Sequence, residues 1–245
     1  MPRVWAKLLA FERKHGLLKH GQGVVAAVSG GPDSVCLAHY LSRRSRKLGF
    51  PLSLAHVHHG LRGAPADRDR SFVLQLAMRL DAGIDLVSAD VRALARKERR
   101  SLEDAARSAR YAALRSVARK RGYPLVATAH TLSDHAETVI LHLLRGTEPE
   151  GLLGIPVSRP LDAGRRTQDA RRKTLVRPLL CLTRDEVMEY LRFFKLDSRV
   201  DETNRDEAFT RNWVRRRVIP LLKKKSPRLE QHLGLLSAKL ASKLR

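Results

Sequence analysis

Cysteine is nearly missing: the chain carries two, Cys36 and Cys181, far apart in sequence and each inside an apolar stretch. Neither forms a CxxC pair. That spacing argues against a disulfide framework or a multi-cysteine metal cluster and suggests a reducing cytoplasm. Aromatic residues make up only 5%, so binding should be dominated by charge and shape. Acidic residues are scarce beside basic ones, 25 Asp+Glu against 48 Lys+Arg, for a formal charge of +23. A polyanion is the simplest partner for that excess, because each phosphate neutralised by Lys or Arg releases counterions. A membrane surface would also attract the charge. Yet no apolar run is long enough to span a bilayer and no signal-peptide core opens the chain, so no membrane partner is expected. The sequence leaves the oligomeric state open, a homodimer included.

What the chain has is 245 residues with 43% hydrophobic and 30% charged content, enough to bury a sizeable core in one large domain with a small appendage. Pro2 to Leu18 reads as an amphipathic first helix, with Val4, Leu8, Leu9 and Phe11 among basic residues. From residue 22 a short apolar run, a turn and a helical period repeat. The spacing predicts strands at Val24 to Val28, Leu52 to Val57, Ile84 to Ser88 and Leu125 to Thr128. Helices are expected between them at Asp33 to Leu48, Ala66 to Asp81, Ser101 to Arg121 and Ser133 to Leu144. This is an α/β chain, a Rossmann-like, doubly wound parallel sheet with a small helical C-terminal extension, and its ligands belong outside the carboxyl ends of the strands. The expected organisation is an N-terminal helix over 1–21, a nucleotide-binding domain over 22–160, the rest of the catalytic region over 161–222 and a basic helical tail over 223–245. Within the third part, Gly164 to Thr174 looks like a mobile basic loop, followed by helices Thr183 to Phe194 and Arg211 to Leu222. In the tail, Leu229, Leu233, Leu236 and Leu240 mark an apolar face.

The first strand runs into Ser29-Gly30-Gly31-Pro32-Asp33-Ser34. Two glycines let backbone N–H groups approach a phosphate, the following helix adds its positive end, and both serines carry hydroxyl donors. No Gly-Lys-Ser/Thr is present, which excludes a Walker A loop. Asp33 beside phosphates makes sense where a divalent cation bridges it to the nucleotide. A tight turn with a capped helix explains the same residue types with no ligand. The complete SGGPDS hexamer, between a strand and a helix, resembles the PP-loop of the ATP pyrophosphatases, which cleave ATP between the α and β phosphates and adenylate a substrate oxygen.

Four further segments resemble one branch of that class, the tRNA(Ile)-lysidine synthetases. They are His56-Val57-His58-His59-Gly60-Leu61-Arg62; Glu103 to Tyr111, with Arg107 and Arg110 on one helical face; Ala129-His130 to Thr138; and Asp201-Glu202-Thr203-Asn204 with Arg211-Asn212-Trp213-Val214-Arg215. The third departs from the family pattern: Ser133 stands for the first aspartate and His135 for a glutamine. Asp134 and Glu137 remain, three apart, able to face one crevice. Their bland alternative is a pair of helix N-terminal charges, with Ser133 as the cap.

The resemblance covers residue 22 to about 221 and implies a short form of the enzyme. ATP and Mg2+ would be used, with phosphates on Ser29, Gly30, Gly31, Pro32, Asp33 and Ser34 and the metal near Asp33 and Asp134. Catalytic roles would fall to Asp33, Asp134, Glu137, His130 and Arg107, with Glu137 and His130 both candidates for the base that frees the lysine amine. Arg110, His59, Arg62, Asn204, Arg211, Asn212 and Arg215 would serve the tRNA or lysine. The partners implied are the CAU-anticodon isoleucine tRNA and free lysine. Two readings compete: another tRNA modifier of the class, such as a thiolase or a ligase for another amine, and a non-catalytic RNA-binding protein with a vestigial loop.

Overall fold

The computed structural model describes residues 2–58, 64–161, 173–199 and 210–244, and of residues 64–67 the backbone alone. Strands β1 (Val24–Ala27), β2 (Leu52–His58), β3 (Gly83–Ser88) and β4 (Leu125–Ala127) lie parallel. Two more strands, β5 (Ser158–Pro160) and β6 (Thr174–Val176), complete a sheet of order β3-β2-β1-β4-β6-β5, in which only β5 runs antiparallel. Strand β1 lies inside the sheet with both faces covered, so its VVAA sequence is continuously apolar rather than alternating. Edge strand β5 carries Pro160, which has no N–H to give to a ladder. The boundary expected at residue 160 falls between β5 and β6, so the sheet itself continues across it.

Helices α1 (Arg3–His15), α2 (Pro32–Leu48), α3 (Ala64–Leu80), α4 (Val91–Glu98), α5 (Leu102–Arg121), α6 (Leu132–Leu144) and α7 (Arg184–Phe194) flank the sheet. One core joins α1, α2 and α7 to one face through Leu8, Tyr40, Leu41 and Tyr190. The other packs Tyr111, Leu114 and Val117 of α5 on Val25, Val126 and Leu175. Helix α1 is fastened to α2 by a buried fork: Arg44 Nε and Nη2 lie 2.8 and 2.7 Å from the two oxygens of Glu12, which also accepts from the Tyr40 hydroxyl. Helix α4, absent from the sequence expectation, has eight residues and is capped by Asp90, whose carboxylate accepts from Ala93 N at 2.9 Å.

Past α7 come α8 (Thr210–Trp213), a π turn at Val214–Val218, α9 (Ile219–Lys225) and α10 (Leu229–Lys243). Pro220 has no N–H to offer the carbonyl of Arg216, and the widened turn stands just before it. The tail helix docks differently from its leucine pattern. Glu230 and Ser237 are buried, whereas Leu236 is 48% exposed. The contact face is set by Gly234, where a Cβ would come 2.9 Å from Leu132, and by Ser237 against α6.

The strand order runs β3-β2-β1 to one side and β4-β6-β5 to the other, so the topological switch lies between β1 and β4. A ligand crevice belongs there. The SGGPDS loop follows β1 and the His130 to Thr138 segment follows β4, so the two motifs flank that crevice.

Candidate active site

The loop after β1 turns on Gly30, whose φ of +94° is open to glycine alone at low cost. The Ser34 hydroxyl accepts from the amides of Ser29 and Gly30 at 3.3 and 3.1 Å and donates to the Gly31 carbonyl at 2.8 Å. Pro32 opens α2, one residue before the expected start. Arg199 covers the loop. Its backbone N–H donates to the Gly30 carbonyl at 2.9 Å, and its Nε sits 3.1 Å from Asp69 on α3. Beside it a cavity of about 340 Å³ is lined by Arg68, Ser71, Phe72, Gln75 and Arg199.

On the β4 side, Thr131 rather than Ser133 caps α6, in a capping box with Asp134. One oxygen of Asp134, Oδ2, accepts from the Thr131 amide and hydroxyl at 2.9 and 3.0 Å. The other, Oδ1, faces Arg184, Arg215 and Arg211 at 3.2, 3.4 and 3.8 Å. Glu137, only 1% exposed, takes Arg215 on both oxygens at 2.6 and 3.0 Å, with Arg211 at 3.1 Å and Arg184 at 3.4 Å. The two carboxylates therefore do share one face, as their spacing implies, and one of them serves the helix as well as the crevice.

Asp33 lies close to this group. Burial raises its pKa from 3.8 to about 6, and the Asp134 carboxylate pushes the same way against the guanidiniums of Arg184 and Arg215. Its Oδ1 is buried and has no hydrogen-bond partner. An orphaned carboxylate oxygen next to a second carboxylate is a fit for a divalent cation, since magnesium uses one or two carboxylates plus substrate phosphates. Among the described residues no group of three or more His, Cys, Asp or Glu is arranged to hold a metal ion.

A second cluster adjoins the first. His130 follows β4, with Nδ1 3.0 Å from the Thr128 hydroxyl. Burial, then Arg177, Arg110, Arg107 and Arg211, lowers its pKa to about 3. Arg107 and Arg110 place their guanidinium carbons 5.4 and 5.7 Å from the Tyr111 ring centre. Burial also depresses Arg110, and its Nε is buried without a partner. Arg211 acts on both clusters, which therefore adjoin.

A family model described as a PP-loop domain matches residues 3–222. The chain belongs to the PP-loop family. It is 43% identical over 220 residues to a tRNA(Ile)-lysidine synthase of Dehalococcoides mccartyi, covering 89% of this chain and 46% of that one. It is 40% identical over 238 residues to one of Geobacter sulfurreducens, covering 97% and 48%. The chain thus spans about half the length of these relatives. Among solved structures, the U34-tRNA thiolase NcsA of Methanococcus maripaludis with its [4Fe-4S] cluster aligns with a TM-score of 0.77 at 16% identity, over 97% of this chain and 78% of that one. An NH3-dependent NAD synthetase of Campylobacter jejuni in complex with the nitrate ion gives 0.54 at 17%, over 99% and 96%. At such identities the likeness concerns the fold alone.

Of the residues singled out in the PP-loop sequence, the structure brings together Asp33, Asp134, Glu137, Arg211 and Arg215, and beside them His130, Arg107 and Arg110. Arg211 and Arg215, expected to serve the substrate and able by spacing to meet phosphates, are turned onto carboxylates. Asn212 is half-buried on α8. His59, Arg62 and Asn204 lie outside the described residues, as do Gly164 to Arg172 of the expected loop; Thr174 opens β6. His56 bonds the Val28 carbonyl at 2.9 Å and ties β2 to the end of β1. The departures at 133 and 135 have structural work. Ser133 Oγ accepts from Arg184 N at 2.9 Å and so sets the start of α7. His135 accepts from Ile155 N at 3.2 Å and meets Ser237 Oγ at 3.0 Å, joining α6 to α10. Sequence reasoning missed Arg184, Arg177 and Arg199. No local signal marked the first two: the short strand before Arg177 carries no period, and Arg184 opens an ordinary capped helix.

Proposed function

We propose that this chain ligates lysine to C2 of the wobble cytidine of an isoleucine tRNA with a CAU anticodon, with ATP cleaved to AMP and pyrophosphate. The observation that carries the reading is Asp33, a buried carboxylate with an unpartnered oxygen at the phosphate loop, beside the carboxylates Asp134 and Glu137. A nucleotide, a cation and an amine have complementary groups there within one crevice. The relatives at 43% and 40% identity, named tRNA(Ile)-lysidine synthases, support the substrate. The buried thiols argue against sulfur transfer: burial pushes Cys36 well up and Cys181 to about 12, far from the thiolate that such chemistry uses.

In this reading the backbone N–H groups of the 29–34 loop, Pro32 having none, and the start of α2 hold the triphosphate. Asp33 and Asp134 would hold magnesium, whose charge would offset the negative charge that develops on the phosphates. Arg107 and Arg110 face the same charge. The cytidine O2 attacks the α phosphorus, pyrophosphate leaves, and the base carries AMP on its former carbonyl oxygen. The lysine ε-amine then attacks C2, and the C2–O2 bond breaks as AMP departs with the oxygen. Asp134 and Glu137 would receive the incoming ammonium in place of a guanidinium, and Arg211, 35% exposed, is the most accessible of the three to displace. Of the two candidates for the proton, His130 is a weak base, because burial and the surrounding guanidiniums lower its pKa to about 3. We read the location as cytoplasmic, where ATP, tRNA and free lysine occur together.

The test is incubation with labelled lysine, magnesium-ATP and CAU-anticodon isoleucine tRNA transcript. Label at the wobble cytidine, absent with a CAU methionine tRNA, is the expected result. AMP release without label would replace lysine by another nucleophile, and no AMP at all would leave a binding protein.

A further inference from the structure

Arg177 and Arg159 have no part in the reaction just described, yet they complete a group of four guanidiniums around one phenol. Arg159, on β5, puts its guanidinium carbon 5.3 Å from the Tyr111 ring centre, beside Arg107 and Arg110 at 5.4 and 5.7 Å. Arg177 leaves the end of β6, 2% exposed, with its backbone N–H donating to Val157 O at 3.0 Å and Nη1 donating to Pro156 O. None of the four arginines is paired with a carboxylate among the described residues. Two guanidinium nitrogens of the group, Nε of Arg110 and Nε of Arg177, are buried without a partner, and Arg159 and Arg177 both face the Tyr111 hydroxyl. Burial would raise the Tyr111 phenol, yet Arg107, Arg110 and Arg177 outweigh it and its pKa is lowered. Clustered like charges, one of them the buried Arg177, with orphaned donors cost stability unless an anion joins them.

We propose that Arg159, Arg177 and Tyr111 form a site for a backbone phosphodiester of the RNA, holding the strand as it enters the crevice. Guanidinium forks and a phenolic O–H match the several acceptor oxygens of a phosphate. Position favours an RNA phosphate over the nucleotide's own. In the order β1-β4-β6-β5, Arg159 stands three strand spacings from the phosphate loop, roughly 14 Å at about 4.8 Å each. That is farther than a triphosphate seated on the loop extends. The neighbouring anticodon phosphates of a substrate whose cytidine reaches Asp33 do extend so far. The inference rests on the proposed reading of the substrate as tRNA, but it can be tested separately.

The experiment is fluorescence anisotropy of a labelled CAU anticodon stem-loop RNA with the whole chain, without ATP or lysine, between 50 and 200 mM salt. Arg159→Gln alters a half-buried side chain on an edge strand and should fold. Its affinity should fall about three- to tenfold at mid-range salt, and the slope of log K against log salt should drop by roughly 0.7–0.9, one phosphate contact. Arg159→Lys should restore the slope, and Arg92→Gln, on exposed α4, should leave affinity within twofold. Arg177→Gln, checked by its melting temperature, should repeat the loss. Unchanged affinity and slope in Arg159→Gln would overturn the proposal. So would intact RNA binding together with a raised KM for ATP or weaker inhibition by inorganic pyrophosphate, which would assign the phosphate to the nucleotide. If the parent chain forms no lysidine while the Arg159 slope is still lost, the phosphate site stands and the ligase reading falls.

Discussion

Arg215 holds Glu137 on both carboxylate oxygens, Nε 2.6 Å from Oε1 and Nη2 3.0 Å from Oε2, on the π turn that precedes Pro220. Glu137 is 1% exposed and answers three guanidiniums at once. Removing its charge strands cations rather than one bond. Glu137→Gln should therefore destabilise the fold by about 3 kcal/mol, a fall of roughly 6–12 °C in Tm for a chain of this size. Thermal melts check this. Adding Arg215→Gln to that variant should recover part of the loss, because the two changes act on one interaction; strict additivity would dissolve the network.

Asp33 predicts the opposite sign. A carboxylate whose folded pKa is raised from 3.8 to about 6 is protonated in the fold where the unfolded chain has already lost its proton. Its destabilising effect is fully present above pH 6 and disappears as the pH falls through 3.8. Asp33→Asn should thus be more stable than the parent at pH 8, by at most about 3 kcal/mol, and equal to it near pH 3.5. Urea melts at both pH values check this, and AMP formation should be lost in the same variant. In the parent, Mg2+ affinity in the presence of ATP should weaken below pH 6 by up to tenfold per pH unit as Asp33 takes up its proton.

Four of the five parallel strands, β1 to β4, and the longer helices between them were legible because buried strands and amphipathic helices leave apolar runs of different period. β5 and β6 were not: three residues each, SRP and TLV, carry no period. The carboxylates of the site stood out for a related reason. Asp33, Asp134 and Glu137 are acids in loop and helix-start positions of a basic chain. Of their arginine partners, Arg211 and Arg215 stood in a motif but were read as substrate contacts, and Arg184 could not be singled out among 48 basic residues. Arg184 sits in Thr183-Arg184-Asp185-Glu186, which reads as an ordinary capped helix start, and it is one. Its side chain reaches Asp134 from a backbone that Ser133, fifty-one positions earlier in the chain, helps to hold. Such long-range constraints leave no local trace.

Arg211 separates two uses of a basic residue. Its Nε lies 3.1 Å from Glu137, so its charge is already neutralised in this state. Arg211→Ala should leave the salt slope of RNA binding unchanged, against the drop of roughly 0.7–0.9 that loss of a phosphate contact produces. In steady-state assays the same variant should lower the KM for lysine, since one competitor for Asp134 and Glu137 is gone. A reduced slope would instead mean that Arg211 leaves Glu137 to meet RNA.

The tail helix offers a test remote from the chemistry. Gly154 has φ +60°, and a Cβ there would meet His135 Cε1 at 2.6 Å and Nδ1 at 2.9 Å. Gly154→Ala should cost about 1–3 kcal/mol through strain and overpacking. Its specific effect is on His135, whose ring must move away from Ile155 N and Ser237 Oγ. Because Ser237 also donates to Leu152 O at 2.6 Å, that movement loosens α10 from α6 and from the turn at 149–153 together. Hydrogen exchange should then accelerate over residues 229–243 while β1 and β4 stay protected. His135→Gln, which restores an amide able both to accept and to donate, should keep that protection, and His135→Ala should lose it. Equal protection in all three variants would mean that the apolar contacts of Leu233, not the His135 bridge, hold the tail.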